Sequence, residues 1–172
     1  FYEILIRFLE FLGIQGKLYM WLQAFNLLLT LLMIYALYKI VSKLFHSAYI
    51  SACYFLLVLF CFPTLFFILR VYGDIPSISL FTVCIWTFIE LLDEKSFKAS
   101  NRKKRYVFLI LTGTLCLAVS VATRKNIIIC IIALTIVIFL TAIYQKRFSL
   151  IILLLCYGLV TTVTLPVITY TY

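Results

Sequence analysis

The chain reads as an all-α membrane protein, with about six transmembrane helices and an N-terminal interfacial amphipathic helix. Three observations predict this class. Hydrophobic residues make up 66% of the 172 residues and charged ones only 12%, whereas soluble domains run near half apolar and a quarter charged. Mean hydropathy is +1.18, more apolar surface than a water-soluble core of this length could hide. The charges fall in short segments between apolar runs near the roughly 20 residues needed to cross a bilayer. The net charge of +9 therefore does not point to nucleic acid, because cytoplasmic loops of membrane proteins collect Lys and Arg in this way.

Residues 1–16 form the interfacial element. Ile4, Leu5, Phe8, Leu9, Phe11 and Leu12 make an apolar stripe, with Glu3, Arg7 and Glu10 on the other side. Glu3 and Arg7 are an i,i+4 pair of favourable polarity. Gly13 is a natural terminator. The apolar part is too short to span, so this helix lies in the interface.

The membrane region is residues 19–169. Span one runs from Tyr19 to Ile40, with Tyr19 and Trp21 at its outer end and Tyr38 at its inner end, as an aromatic belt requires. Gln23 and Asn26 lie one turn apart in it and read as interhelical hydrogen-bonding residues. His46, the only histidine, sits in a basic segment and reads as solvated. Span two runs from Tyr49 to Leu69 and contains Pro63. A polar crossing, Arg70 to Pro76, leads to span three, Ser77 to Leu92, which carries Glu90 near its inner end. Residues 93–105 form the one substantial polar loop. Spans four, five and six are Tyr106–Thr123, Ile127–Tyr144 and Leu150–Thr169. The six cysteines all lie in apolar runs without metal-ligand spacing and read as small hydrophobes.

Charge counting orients the chain. Ten of the 15 lysines and arginines follow spans one, three and five: Lys39, Lys43, Lys146, Arg147 and the six from Lys95 to Arg105. The other five, Arg7, Lys17, Arg70, Arg124 and Lys125, fall on the opposite side. The bias makes the 93–105 loop cytoplasmic. It sets the Arg70–Pro76 and Arg124–Asn126 crossings on the non-cytoplasmic face, together with the interfacial helix.

That face holds the residues able to carry chemistry. Asp74 lies beside Tyr72, and a carboxylate at a membrane boundary is costly to keep. Its structural reading is an N-cap of span three, held by the turn at Gly73 and by Pro76. Arg124 and Lys125 run against the positive-inside rule, with Asn126 adjacent. They serve either as interface anchors that snorkel or as a site for an anion.

The order of these elements resembles a known family. An outer amphipathic helix ends in FLGI, a span opens WLQAFNLLL, and a Pro-containing span leads to VYGD-IP. After the basic loop, one span ends in TRKN and the next starts IIICIIAL. This resembles the GT-C superfamily of polytopic membrane glycosyltransferases, in particular the bacterial relatives of protein mannosyltransferases and lipid A aminoarabinose transferases. The resemblance covers nearly the whole chain through short motifs. It implies sugar transfer from a polyprenyl-phosphate donor to an extracytoplasmic acceptor at a bacterial plasma membrane. It also implies that the main catalytic acid and a first span lie upstream of Phe1. The chain is accordingly expected to be one transmembrane domain, residues 1–172, and a fragment of a longer module. Arg124, Lys125 and Asn126 are the expected substrate-binding residues, with Tyr72 and Arg70 as further candidates. Asp74 is an auxiliary catalytic candidate that would orient the acceptor, ligate a divalent cation or position a basic residue. A lone aspartate does not make a metal site. The competing reading is a transporter or flippase of lipid-linked or anionic substrates, or a non-catalytic scaffold. A transporter should show repeated halves with polar groups near mid-membrane, and the polar groups here cluster at one face.

Overall fold

A computed structural model of the chain describes residues 2–11, 13, 18–60, 74–93, 102–146 and 148–170. These residues are 94% helical and contain no strand. The helices are α1 (Tyr2–Phe11), α2 (Leu18–Phe45), α3 (Ala48–Leu59), α4 (Asp74–Leu92), α5 (Arg102–Thr123), α6 (Ile128–Gln145) and α7 (Phe148–Tyr170), with a 3₁₀ turn at Lys125–Ile127 between α5 and α6. Four of them hold stretches long and apolar enough to cross a membrane: Leu18–Phe45, Asp74–Leu92, Lys104–Thr123 and Ile128–Gln145. The protein is an integral membrane protein of the all-α class. The predicted second and sixth spans coincide with shorter apolar stretches, Ala48–Val58 and Leu150–Val160. The predicted continuation of span two to Leu69 lies outside the described residues.

Two compact units divide the chain, Phe1–Thr82 and Val83–Tyr172. In the first, α1 stops at Phe11, short of the predicted residue 16; Gly13, the expected terminator, takes a positive φ of 77° and donates its N–H to the Glu10 carbonyl. The Glu3–Arg7 pair forms at 2.9 Å with both side chains exposed, so its contribution is about 0.2–0.5 kcal/mol. Leu9 is buried. The Tyr2 hydroxyl donates to Asn26 Oδ1 at 2.6 Å, tying α1 to α2. Asn26 is fully buried and thus makes the interhelical bond expected of it. Burial holds the Tyr2 hydroxyl pKa above its usual 10.0, and the Asn26 hydrogen bond offsets part of that shift.

Helix α2 extends five residues beyond the predicted Ile40. Its 28 residues measure about 42 Å, more than the ~30 Å hydrocarbon core, so Lys43 belongs to helix rather than to loop. The helix stops at His46, which adopts a φ of 52° and donates its N–H to the Ser42 carbonyl. Ser47 then caps α3: Ile50 N–H donates to Ser47 Oγ at 3.4 Å, and Ser51 Oγ donates to the Ser47 carbonyl at 2.9 Å. A two-residue connection of this kind folds α3 back along α2. Tyr38 and Phe55 meet edge to face with ring centroids 6.3 Å apart.

In the second unit, α7 packs against both α5 and α6. The buried positions of α5, Leu109, Gly113, Leu117, Ser120 and Val121, recur at helical spacing. So do Ile131, Leu134, Ile138 and Ala142 of α6 and Leu150, Leu153 and Tyr157 of α7. The opposite faces expose Val107, Phe108, Leu111, Ile129, Ile136 and Leu155, as lipid-facing surfaces do. Lys146, with a φ of 50°, closes α6 much as His46 closes α2.

Two boundaries correct the sequence reading. Asp74, Ile75 and Pro76 belong to α4 rather than to the crossing. Pro76 fits because the first turn of a helix has no carbonyl to receive its missing N–H. Arg102–Arg105 form the first turn of α5 rather than loop. Four cations there oppose the helix dipole, and Glu90 offsets this by pairing with Arg105 at 3.3 Å.

Candidate functional site

Asp74 opens α4, half-buried, with its carboxylate in the first turn. Aligned peptide dipoles favour a negative charge there, which accounts for an aspartate at a membrane boundary without invoking chemistry. Asp74 takes part in a polar or electrostatic contact of its own. It belongs to the first unit, and Arg124 and Asn126 belong to the second. Arg70 and Tyr72 lie outside the described residues.

The Arg124–Asn126 crossing is built from the end of α5. Thr123 Oγ1 lies 3.0 Å from the Val119 carbonyl and 2.7 Å from that of Ser120. Its hydroxyl thus adds to the backbone hydrogen bonding of the last helical turn. The Arg124 N–H donates to the Ser120 carbonyl at 3.2 Å, and the Ile127 N–H to the Arg124 carbonyl at 3.4 Å. The chain thus reverses within one 3₁₀ turn, leaving the Arg124 and Asn126 side chains exposed. Such a turn holds its polar residues close together at the membrane boundary.

Directly beneath the crossing lies a cavity of about 320 Å³ between α5, α6 and α7. It is lined by Val121, Ile128, Ile131, Ile132, Thr135, Ile136 and Gly158. Val121 is one turn before Arg124 and Ile128 one turn after it. From Ile128 to Ile136 the groove follows α6 for about 12 Å. Gly158 forms part of its wall, and a Cβ placed there would meet nothing within 4 Å. The absence of that side chain leaves the groove open. An exposed arginine at the crossing, with an apolar groove lined by residues one turn away, suits an amphiphile with an anionic head and a hydrocarbon chain. Sequence reading found the cations and missed the groove. Its one visible signal was a glycine inside a long apolar run.

A second polar cluster was also missed. Where α4, α5 and α7 meet, Cys84 Sγ–H donates to the Tyr157 hydroxyl at 3.0 Å, and Thr87 Oγ1 donates to the Cys84 carbonyl at 2.7 Å. Thr87 and Tyr157 are hydrogen-bonded as well. Since the Thr87 proton is committed to Cys84, Thr87 accepts from Tyr157, and the three residues close a ring of donors and acceptors. Gly113 of α5 approaches this ring so closely that a Cβ would lie 2.5 Å from Thr87 Oγ1 and 2.7 Å from the Tyr157 hydroxyl. Every member is buried, so the cluster packs helices together and is closed to substrate.

Near the C-terminal end of α4, Glu90 is 7% exposed. It accepts from Trp86 Nε1 at 3.2 Å and pairs with Arg105. Among the described residues no group of three His, Cys, Asp or Glu gathers to hold a metal ion. Of the cysteines, Cys84 is buried, Cys116 and Cys156 are half-buried, and Cys53 and Cys130 are exposed on apolar faces; Cys61 lies outside the described residues. No family model, no curated protein and no solved structure matches the chain.

Proposed function

We propose that this protein is a GT-C-type membrane glycosyltransferase, moving a sugar from a polyprenyl-phosphate donor to an acceptor on the non-cytoplasmic side. The observation that carries the reading is the apolar groove running from the Arg124 crossing along α6 past Gly158. A polyprenyl phosphate has one anionic head on one long hydrocarbon chain, and this end of the second unit offers a cation at the crossing and an apolar groove lined by residues one turn away. When the glycosidic C–O bond breaks, negative charge grows on the departing phosphate. Arg124, with Lys125 beside it in sequence, stabilises that charge. The acceptor hydroxyl must lose its proton as it attacks the anomeric carbon, and Asp74 is the auxiliary carboxylate of this reading.

The test is glycosyl transfer by the intact protein in proteoliposomes. Arg124→Gln removes a charge-assisted contact of about 1.5–3 kcal/mol, so the donor requirement should rise about ten- to a hundredfold with insertion unchanged. Asp74→Asn keeps size and capping capacity, so a purely structural Asp74 tolerates it and a functional one loses most turnover. Near-normal transfer in both variants would overturn the reading. Movement of donor lipid across the bilayer with no glycosylated product would replace it with a lipid transporter.

A further inference from the structure

In the first unit, the turn at His46 folds α3 back along α2, and the two helices hold a hollow of about 420 Å³ between them. Tyr35 and Tyr38 of α2 form one wall; Ala52, Phe55 and Leu56 of α3 form the other. The volume lies within the range of sites that take small molecules. Tyr38 and Phe55 brace the two walls edge to face, with ring centroids 6.3 Å apart. Ala52 is the smallest of the five lining side chains, and a larger one in its place would narrow the hollow.

One cation stands at this hollow. Lys39 follows Tyr38 in sequence and lies one turn beyond Tyr35, with its ammonium 5.5 Å from the centroid of the Tyr35 ring. A lysine near a helix end commonly snorkels to the interface and binds nothing in particular. Lys39 differs in two respects. It is half-buried, and its stacking on Tyr35, itself part of the wall, holds the charge beside the hollow. In addition, no Asp or Glu occurs between Glu10 and Asp74, so neither α2 nor α3 carries a carboxylate that could neutralise it. The face of a ring attracts an ammonium but offers no oxygen to its N–H donors. A cation on a membrane helix is costly to keep without a partner, and an anion for Lys39 has to come from outside this helix pair. A positive charge beside a two-walled hydrocarbon hollow is the complement of a phosphate attached to an acyl chain.

We infer that the cleft between α2 and α3 is a binding site for an anionic phospholipid, with the headgroup phosphate on Lys39 and an acyl chain between Tyr35 and Tyr38 on one side and Ala52, Phe55 and Leu56 on the other. This site differs from the attraction that any basic segment exerts on an anionic leaflet, because it needs both the cation and the cleft. It lies wholly within the first unit and does not depend on the glycosyl-transfer reading.

The test reads lipid contact at the cleft itself. Phe55→Trp keeps an aromatic wall and places an indole there, while Trp21→Phe and Trp86→Phe remove the two native indoles. The full chain is reconstituted in dioleoyl phosphatidylcholine vesicles containing a small fraction of brominated phosphatidylglycerol or of brominated phosphatidylcholine, which quench the indole on contact. Quenching should report about a tenfold preference for phosphatidylglycerol, the scale of one charge-assisted contact. Adding Lys39→Gln should remove that preference. Lys39→Arg keeps the charge and stacks on a ring as well as lysine does, so it should retain the preference and separate loss of charge from loss of fold. Ala52→Phe, which fills the cleft from α3, should lower the preference with the cation intact. Lys146→Asn removes a cation from the second unit, at a left-handed position that asparagine tolerates, and should change nothing. Equal quenching by the two lipids in the parent protein would overturn the site, as would a preference that survives Lys39→Gln or Ala52→Phe. Equal loss from Lys39→Gln and Lys146→Asn would show diffuse electrostatics and overturn it too.

Discussion

Gly113 and Gly158 lie on neighbouring helices of one unit, and an added side chain would meet opposite conditions at each. At Gly113 the new Cβ would fall 2.5 Å from Thr87 Oγ1 and 2.7 Å from the Tyr157 hydroxyl. At Gly158 it would meet nothing within 4 Å. Tyr157 and Gly158 are adjacent, so α7 turns one face to a closed ring of hydrogen bonds and the next to an open groove. Small residues in membrane helices bring backbones together, and Gly113 does that. Gly158 shows that a small residue can also keep space empty. Only the surroundings tell the two roles apart.

The sharpest way to break the contrast is Gly113→Ala. No room exists for the methyl group, and overpacking of this kind costs about 1–3 kcal/mol. Thermal unfolding in detergent should show that loss. Combining Gly113→Ala with Thr87→Ala and Tyr157→Phe removes both oxygens the methyl would strike. The combination should then be more stable than the three separate effects predict. Simple additivity would mean that the close approach at Gly113 is not the source of the cost.

Gly158→Leu tests the other half. Leucine is the better helix former by nearly 1 kcal/mol, so stability should hold or rise. The groove beneath Arg124 should nevertheless fill. Losing about two buried methylenes of a bound chain, at ~0.8 kcal/mol each, weakens donor use by about tenfold. Proteoliposome assays at varied donor concentration would read this as a raised donor requirement. A stable Gly158→Leu protein with unchanged donor use would detach the groove from the function proposed for it.

The spans were legible in the sequence because they depend on composition and length, which survive without tertiary information. Errors arose where helix continues into polar sequence, at Asp74–Pro76 and Arg102–Arg105. There the headgroup region tolerates charge, so a polar residue does not mark a helix end. Packing faces were much less legible. In water the apolar stripe of a helix points inward; in lipid both faces are apolar, and Leu117 and Leu115 of α5 look alike although one is buried and the other exposed. The inward face is marked instead by Cys84, Thr87, Gly113 and Tyr157, which read singly as unremarkable. Cys84 and Tyr157 meet across 73 positions, a separation that no local pattern reveals. Arg124 and Asn126 were found because charge at a membrane boundary stands out, and the groove beside them was missed because an empty volume has no residue of its own.

The smallest expected effect lies in the first unit, at the contact between α1 and α2. Tyr2 donates to Asn26, and burial raises the Tyr2 pKa above 10.0. The docked state therefore prefers the protonated phenol. Its contribution is complete below the unfolded pKa near 10 and is lost as pH rises through the higher folded value. Between pH 6 and 9 the attachment of α1 should not change; above about pH 10 it should loosen. A spin label on Glu10→Cys, in a background lacking the native cysteines, would report the mobility of α1. Wild type should gain mobility only at high pH, while Tyr2→Phe, with no proton to lose, should show slightly raised mobility that stays flat over the same range. A matching high-pH rise in Tyr2→Phe would assign the loosening to other groups.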